Sequence, residues 1–281
     1  MVSGTTKPEP ETRNFWPERE EDLNEFSPVT TTGIPVDGAS ALVLVQFCWG
    51  VYVTLLCSTW YVNSLASHWA WWFLFPFWLY GTLYLFTFAV IAFTAVWIRV
   101  MWKFHPPVEG LFDVDGDEYK RWKRRYWISF FAIWLARALP LPWLDLVCYK
   151  MLGVKVGRNC VLYDTWLDTE FVEIGDYVML SLNDVVLSHC LLPNGKFYVK
   201  RVVVKEAGIV GAMSVTAPGT VIEEGTTLGA GCGTSYNQVL SEWSVWVGNP
   251  AKYLVPVKRN EAAGGETKRA GEEGAKARGE S

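Results

Sequence analysis

From Gly38 to Ile98 the chain carries no Asp, Glu, Lys or Arg. Two apolar runs fill this stretch, "ALVLVQFCWGVYVTLLCSTWYV" (Ala41–Val62) and "WWFLFPFWLYGTLYLFTFAVIAFTAVWI" (Trp71–Ile98). About 20 mostly apolar residues suffice to cross the hydrocarbon of a bilayer as a helix. The runs therefore predict a transmembrane helical hairpin over residues 38–100, turning at "NSLASH". Trp60, Tyr61, Trp69, Trp71 and Trp72 flank the turn as an interfacial belt would. Pro76 falls in the first turns of the second span, where a kink is tolerated. A buried helical hairpin in a soluble core is the rival, and so long a run without one charge argues against it.

The stretch 101–152 has a different character. "KRWKRRYW" mixes cations with Trp122 and Trp127, and beside two spans it reads as a headgroup-contacting segment rather than a nucleic-acid patch. "YWISFFAIWLARALPLPWLDLVCYKMLG" follows (Tyr126–Gly153). Its apolar run before Arg137 is too short to cross, and Pro140 and Pro142 break any helix there, so interfacial or linker helices are expected. A third span is the alternative, and it would put the rest of the chain on the opposite side.

Beyond Gly153 the pattern changes to a period of six. Every sixth position from Val156 to Thr234 gives fourteen residues, of which ten are Val, Leu or Ile. Chance would give about four. Asp168, Tyr198, Thr216 and Thr234 are the exceptions. Four places after the later grid points stand Gly208, Ser214, Thr220, Thr226 and Cys232, all small. An inward aliphatic and a small residue at a tight corner, once per six residues, is the repeat of a triangular coil. Three units make one turn of about 18 residues, and turns stack at about 4.8 Å. The fold class is thus a transmembrane helical hairpin followed by a left-handed parallel β-helix of hexapeptide repeats over 153–258. Its hand is an exception to the usual crossover rule. "LLPNGKFYVKR" around Tyr198 marks a loop leaving the coil.

Charge and composition refine this picture. The termini, 1–37 and 259–281, are poor in aliphatics and read as solvated tails. Met1 is not followed by the basic segment of a secretory signal. Arg99, Lys103, Lys120, Arg121, Lys123, Arg124 and Arg125 follow the second span, whereas the turn carries no cation. The positive-inside rule then places the β-helix and both termini in the cytoplasm. The six cysteines contain no CxxC pair and read as reduced thiols. A zinc-dependent hydratase on the same coil would need three histidines; His68 and His105 lie in or beside the membrane part, so no metal site is expected.

The run "IVGAMSVTAPGTVIEEGTTLGAG" and the ending "WVGNPAK" resemble the hexapeptide-repeat acyltransferases, over about Gly153–Lys258. The layout of spans before a coil that starts "LGVKVGRNCVLYD" and continues "DTEFVEIGD" also resembles one unit of the membrane-embedded C-terminal region of poly-lysine-synthetase-like nonribosomal peptide synthetases. The first resemblance implies acyl transfer from a thioester, acyl-CoA or carrier-bound, to an alcohol or amine. It also implies a homotrimer with sites shared between neighbours, for which Val203, Ile209, Val215 and Val221 would supply an apolar stripe. The second implies amide formation with an adenylating or carrier-protein partner. A coil without catalysis, serving as an assembly scaffold at the membrane, is the reading from another class. Membrane lipid is the further expected partner, and nucleic acid is not.

His189 is the only histidine of the repeat region, in "VVLSHCLLPNG". Similar transferases carry a histidine at this place that takes the acceptor's proton, and a neutral imidazole suits that task. The rival reading, a surface residue at a loop mouth, is the weaker one given this resemblance. Cys190 follows it, but neighbours along a coil point to opposite sides, which argues against a Cys–His nucleophile pair. Asp164, Asp168 and Glu170 are candidate carboxylates to orient His189 or hold an amine, or else solvated loop acids. Backbone N–H groups of the coil would steady the oxyanion. The resemblance places Gly248, Asn249, Pro250, Ala251 and Lys252 beside the donor's pantetheine arm or nucleotide, with Lys252 near a phosphate. Lys200, Arg201 and Lys205 are further phosphate candidates, and Trp243 and Trp246 would cap the open end of the prism.

Overall fold

The computed structural model describes residues 38–65, 71–141, 143–192 and 195–257. The readings of both tails, and of Trp69 and His68 in the turn, fall outside these residues. Helix α1 (Gly38–Leu65) and helix α2 (Trp71–Phe104) form the hairpin. Both run further than the sequence suggested. Helix α1 takes in Asn63, Ser64 and Leu65 of the expected turn. Helix α2 continues past residue 100 because no breaker intervenes before Pro106 and Pro107. Both are long and apolar enough to cross a membrane. Leu44, Leu55, Trp60, Phe77 and Tyr80 point outward from them, an exposed apolar surface of the kind that water penalises and lipid does not.

Strand β1 (Gly110–Asp113) leads into helix α3 (Asp117–Ala138), and helix α4 (Leu144–Leu152) follows. Along α3, Ile128, Ala132, Ile133 and Ala136 share one buried core with Val90, Ile91, Ala95 and Ile98 of α2. The buried amide of Gln46 in α1 donates to the carbonyl of Ile128 (3.2 Å) and also bonds the Thr94 hydroxyl, fastening the three helices. Gly153 ends α4 in the left-handed conformation (φ 102°), donating its N–H to Lys150 and Tyr149 carbonyls. A Cβ there would stand 2.4 Å from the Trp102 ring, so both the turn and the packing require glycine.

The remaining chain winds into a three-faced coil. Its first turn is β2 (Lys155–Val156), β3 (Val161–Leu162) and β4 (Trp166–Leu167); its second is β5 (Val172–Ile174), β6 (Met179–Leu180) and β7 (Val185–Val186). A hairpin then departs, β8 (His189–Leu191) and β9 (Lys196–Val199). The coil resumes with β10 (Val202–Val204), β11 (Ile209–Val210), β12 (Val215–Thr216), β13 (Val221–Ile222) and β14 (Thr227–Leu228). It ends with β15 (Val239–Leu240), β16 (Ser244–Val247) and β17 (Lys252–Pro256). The pairing is parallel within each face: β2-β5-β10-β13-β15, then β3-β6-β11-β14-β16, then β4-β7-β12. Strand β17 folds back antiparallel on β16, and β1 pairs antiparallel with β9.

Leu162, Ile174, Leu180, Val186, Val204, Val210, Ile222 and Leu228 are buried inside the prism, as the six-residue grid requires. Each is worth about 1.5–3 kcal/mol relative to exposure. The corner itself falls three places after the inward residue. From Ala207 and Met213 to Trp243, every sixth residue is left-handed, with φ between 49° and 80°. The small residue one step later is buried and ties rungs together: Ser214 Oγ donates to the Gly229 carbonyl (2.8 Å) and Thr226 Oγ1 to that of Ser241 (2.6 Å).

The break in the grid at Asp168 is a distortion of the coil, and one further expectation changes. At the third face of the first turn the inward residue is Leu167, not Asp168: Leu167 pairs with Val186, 19 residues on rather than 18. The left-handed corners record the same slip, at Asn159, Asp164 and Phe171, after which the interval settles to six. And Val203 and Val221 face outward on the first face, Ile209 on the second and Val215 on the third, so they do not make one stripe.

Candidate active site

The slip at β4 moves Asp168 one step past the inward position, onto the corner that follows it. One turn higher, about 4.8 Å along the stack, the same corner carries Ser188 and His189. Asp168 is buried, and its Oδ2 accepts from the Ser188 N–H (2.6 Å) and hydroxyl (3.0 Å). The same oxygen lies 2.6 Å from His189 Nδ1. A carboxylate oxygen that already receives two donors accepts a third, so the imidazole proton sits on Nδ1 and the Nε2 lone pair is free to act as a base. The other Asp168 oxygen, Oδ1, is buried with no hydrogen-bond partner among the described residues.

The imidazole is walled by aromatic rings. Trp122 of α3 lies 4.4 Å from it centre to centre, Tyr126 of α3 5.5 Å, and Phe197 of β9 5.8 Å. Trp122 also packs on Phe197 at 4.4 Å, closing the wall. Burial and the nearby Asp168 charge push the Tyr126 phenol up to about 12. The His189 side chain keeps 16% of its surface exposed. The site is therefore a shielded carboxylate–imidazole pair, an arrangement suited to taking a proton from a bound hydroxyl or amine and returning it.

Helix α3 is held over this corner by its own buried charge. Arg125 pairs with both oxygens of Glu170, and Trp102 of α2 donates its indole N–H to Glu170 (3.2 Å). Glu170 thus clamps α2 and α3 to the coil rather than facing the imidazole. Asp164 is likewise engaged elsewhere, with Arg137 (2.8 Å). Arg201 pairs with Glu109 and Glu173, and Lys205 with Glu223 (2.5 Å). Cys190 turns away from His189 toward Tyr236; burial pushes its thiol up, partly offset by the Tyr236 hydrogen bond.

The loop Gly248–Lys252 continues the column of the third face. Gly233 bridges to Val215 of β12, donates to the Gly248 carbonyl (3.1 Å) and accepts from the Ala251 N–H (2.7 Å). The loop stands about three rungs, roughly 14 Å, above the His189 corner on the same side. Lys252 is exposed there. Trp246 packs on the core near the end of the coil and meets Tyr253 of β17 at 5.9 Å.

Of the residues singled out in the sequence, the fold brings together His189 and Asp168. The aromatic wall was not foreseen. Its one trace is the spacing of Trp122 and Tyr126, one helical turn apart within a segment that otherwise reads as cationic.

No protein family matches this chain, and no curated protein does. Among solved structures it is similar to a maltose O-acetyltransferase from Clostridium difficile, at 18% identity over 58% of this chain and 97% of that one, TM-score 0.44. It is also similar to a hexapeptide-repeat containing acetyltransferase from Vibrio cholerae, at 16% identity over 52% and 96%, TM-score 0.41. A third is the N-acyltransferase AntD from Bacillus cereus, in complex with dTDP and 3-hydroxybutyryl-CoA, at 18% identity over 44% and 94%, TM-score 0.33. Likeness at this level concerns how the chain coils and assigns no chemistry.

Proposed function

We propose that this chain is a membrane-anchored acyltransferase built on a left-handed hexapeptide β-helix. It moves an acyl group from a thioester, acyl-CoA or carrier-bound, to an alcohol or amine. The observation that carries this reading is the His189–Asp168 pair. A coil needs no acid at that corner: the slip that puts Asp168 there takes a regular position out of the grid and leaves a charge buried. Burying a carboxylate is costly unless it is hydrogen-bonded; Asp168 is bonded by Ser188 and, unlike the buried Asp184, also by an imidazole that it orients.

The steps follow from that geometry. His189 Nε2 takes the proton as the acceptor oxygen or nitrogen attacks the acyl carbon. The carbon–sulfur bond breaks as the new carbon–oxygen or carbon–nitrogen bond forms. The imidazolium returns its proton to the departing thiolate, giving an ester or amide and a free thiol. Asp168 is a positioning residue, holding the tautomer and steadying the cation between the two transfers. An elongated donor laid along the third face from the Gly248–Lys252 loop would reach His189 with its thioester, with Lys252 at its phosphate end. An amine acceptor would make the chain an amide-forming unit, as in a peptide-synthetase-like system.

His189→Gln tests the reading. Thioester turnover by the full chain in lipid bilayers, followed as free thiol, should fall about 10²–10⁴-fold, with an unchanged unfolding midpoint. Turnover within about twofold of the parent would remove His189 from the chemistry and favour the scaffold reading.

A further inference from the structure

Helix α3 changes character at the point where it meets His189. Lys120, Arg121, Lys123, Arg124 and Arg125 precede Tyr126, and from there to Ala136 the helix carries no charge. The two rings over the imidazole, Trp122 and Tyr126, stand at this changeover. Past it the aromatic packing continues away from the site. Tyr126 meets Phe130 at 6.1 Å, Phe130 meets Trp166 of the coil at 5.0 Å, and Trp127 meets Phe130 at 5.7 Å. Trp127 and Trp134 are 44% and 56% exposed. From Tyr126 to Trp134 the helix rises about 12 Å. Its opposite side is packed on Val90–Ile98 of α2, inside the apolar stretch suited to the bilayer, and its Ile128 carbonyl is bonded by Gln46 of α1. With the hairpin in a bilayer, the cationic half of α3 would stand among the headgroups, and the aromatic half, closed at its far end by the Arg137–Asp164 pair, would run along the boundary of headgroups and hydrocarbon.

We infer that the acceptor is a membrane amphiphile. Its hydroxyl or amine reaches His189 at headgroup depth, and its apolar chain lies along Trp127, Phe130 and Trp134. This deepens the acyl-transfer reading and rests on it for the chemistry. The amphiphile's O–H or N–H proton goes to His189, and its oxygen or nitrogen takes the acyl carbon from sulfur. Single Trp residues at an interface are ordinary membrane anchors. What distinguishes Trp127 and Phe130 is their continuity, through Tyr126, with the rings over the imidazole; Trp134, one turn further on, packs on Phe131 at 6.4 Å.

The test uses the full chain in phosphatidylcholine vesicles and a dodecanol carrying a diazirine on its chain. After irradiation and trypsin, the peptide Tyr126–Arg137 holds the whole row. Label on that peptide, competed by excess 1-dodecanol and not by 1-butanol, supports the inference. Label confined to α1 and α2, or not competed, overturns it. In parallel, acetyl transfer from acetyl-CoA is compared between 1-dodecanol and 1-butanol, and between dodecylamine and butylamine. At equal concentration in the membrane the long-chain acceptors should be about tenfold better or more. Equal rates would overturn the membrane acceptor and leave acyl transfer standing. Competed label without transfer to any acceptor would keep the amphiphile site and overturn acyl transfer.

Discussion

Asp184 is fully buried at a corner of the second turn, where Oδ2 accepts the Ser181 N–H (2.6 Å) and Oδ1 the Ser214 N–H of the turn above (3.1 Å). Burial outweighs these bonds and raises its pKa from 3.8 to about 6. Between those values the folded chain holds a proton that the unfolded chain has released, so stability falls as pH rises from about 4 to about 6. Two pH units correspond to at most about 3 kcal/mol. Asp184→Asn should flatten this slope, read as urea midpoints at pH 4, 5, 6 and 7. Identical slopes in parent and variant would show that Asp184 ionises as freely folded as unfolded. At this scale the sequence spoke unevenly. His189 stood out as the only histidine of its region, and Asp168 as a break in an aliphatic column. That the two meet was legible only as one option among three carboxylates, because it depends on which way the chain slips at Asp168, and a break in the column does not say. Trp122 and Tyr126 were hidden for a different reason: which side of a helix meets which corner is decided by packing between elements far apart in the chain.

Helix α3 is the element on which the site depends, and the Arg125–Glu170 pair is what fixes it to the coil. Both side chains are nearly inaccessible. Removing one partner strands a buried charge, which typically costs 3–5 kcal/mol. Glu170→Ala and Arg125→Ala should therefore each lower stability by about that amount. The double replacement Arg125→Met with Glu170→Leu should cost clearly less than either, because no charge is left behind. If the double variant proves as unstable as the sum of the singles, the pair acts through something other than the buried charge. In the sequence, Arg125 was one of five cations in six residues and nothing marked it as the buried one. The coil was far more readable, because one geometric demand recurs along it, and ten of the fourteen grid positions answer it with Val, Leu or Ile. Its corners were read one place late, at the small buried residues, since the left-handed position before them accepts Ala207, Met213 and Trp243 as well as glycine and leaves no compositional mark.

For the whole molecule, the hairpin and its cationic flank give a proposal about sidedness. On that proposal the coil and both ends of the hairpin would lie on the cytoplasmic face, with α3 along the surface between them. A tag after Ser281 should be shielded in intact cells and become accessible once the membrane is opened. A tag reachable from outside would mean that the segment 126–139 crosses and that the rule of positive flanks fails for this chain. The hairpin was legible from its uncharged length alone, whereas its attachment to the coil, through Gln46, Trp102 and Arg125, was not. That attachment bears on how anything reaches His189. The segment over the imidazole is fastened before and behind: β1 is laddered to β9 from Gly110 to Asp113, and α4 is locked under the coil by the Tyr149 hydroxyl, which accepts from Leu167 N–H (3.1 Å) and donates to the Thr165 carbonyl (3.0 Å). A span pinned at both ends is a bridge and not a door. Among the described residues it has no free edge to lift, so traffic to the imidazole passes beneath its sides.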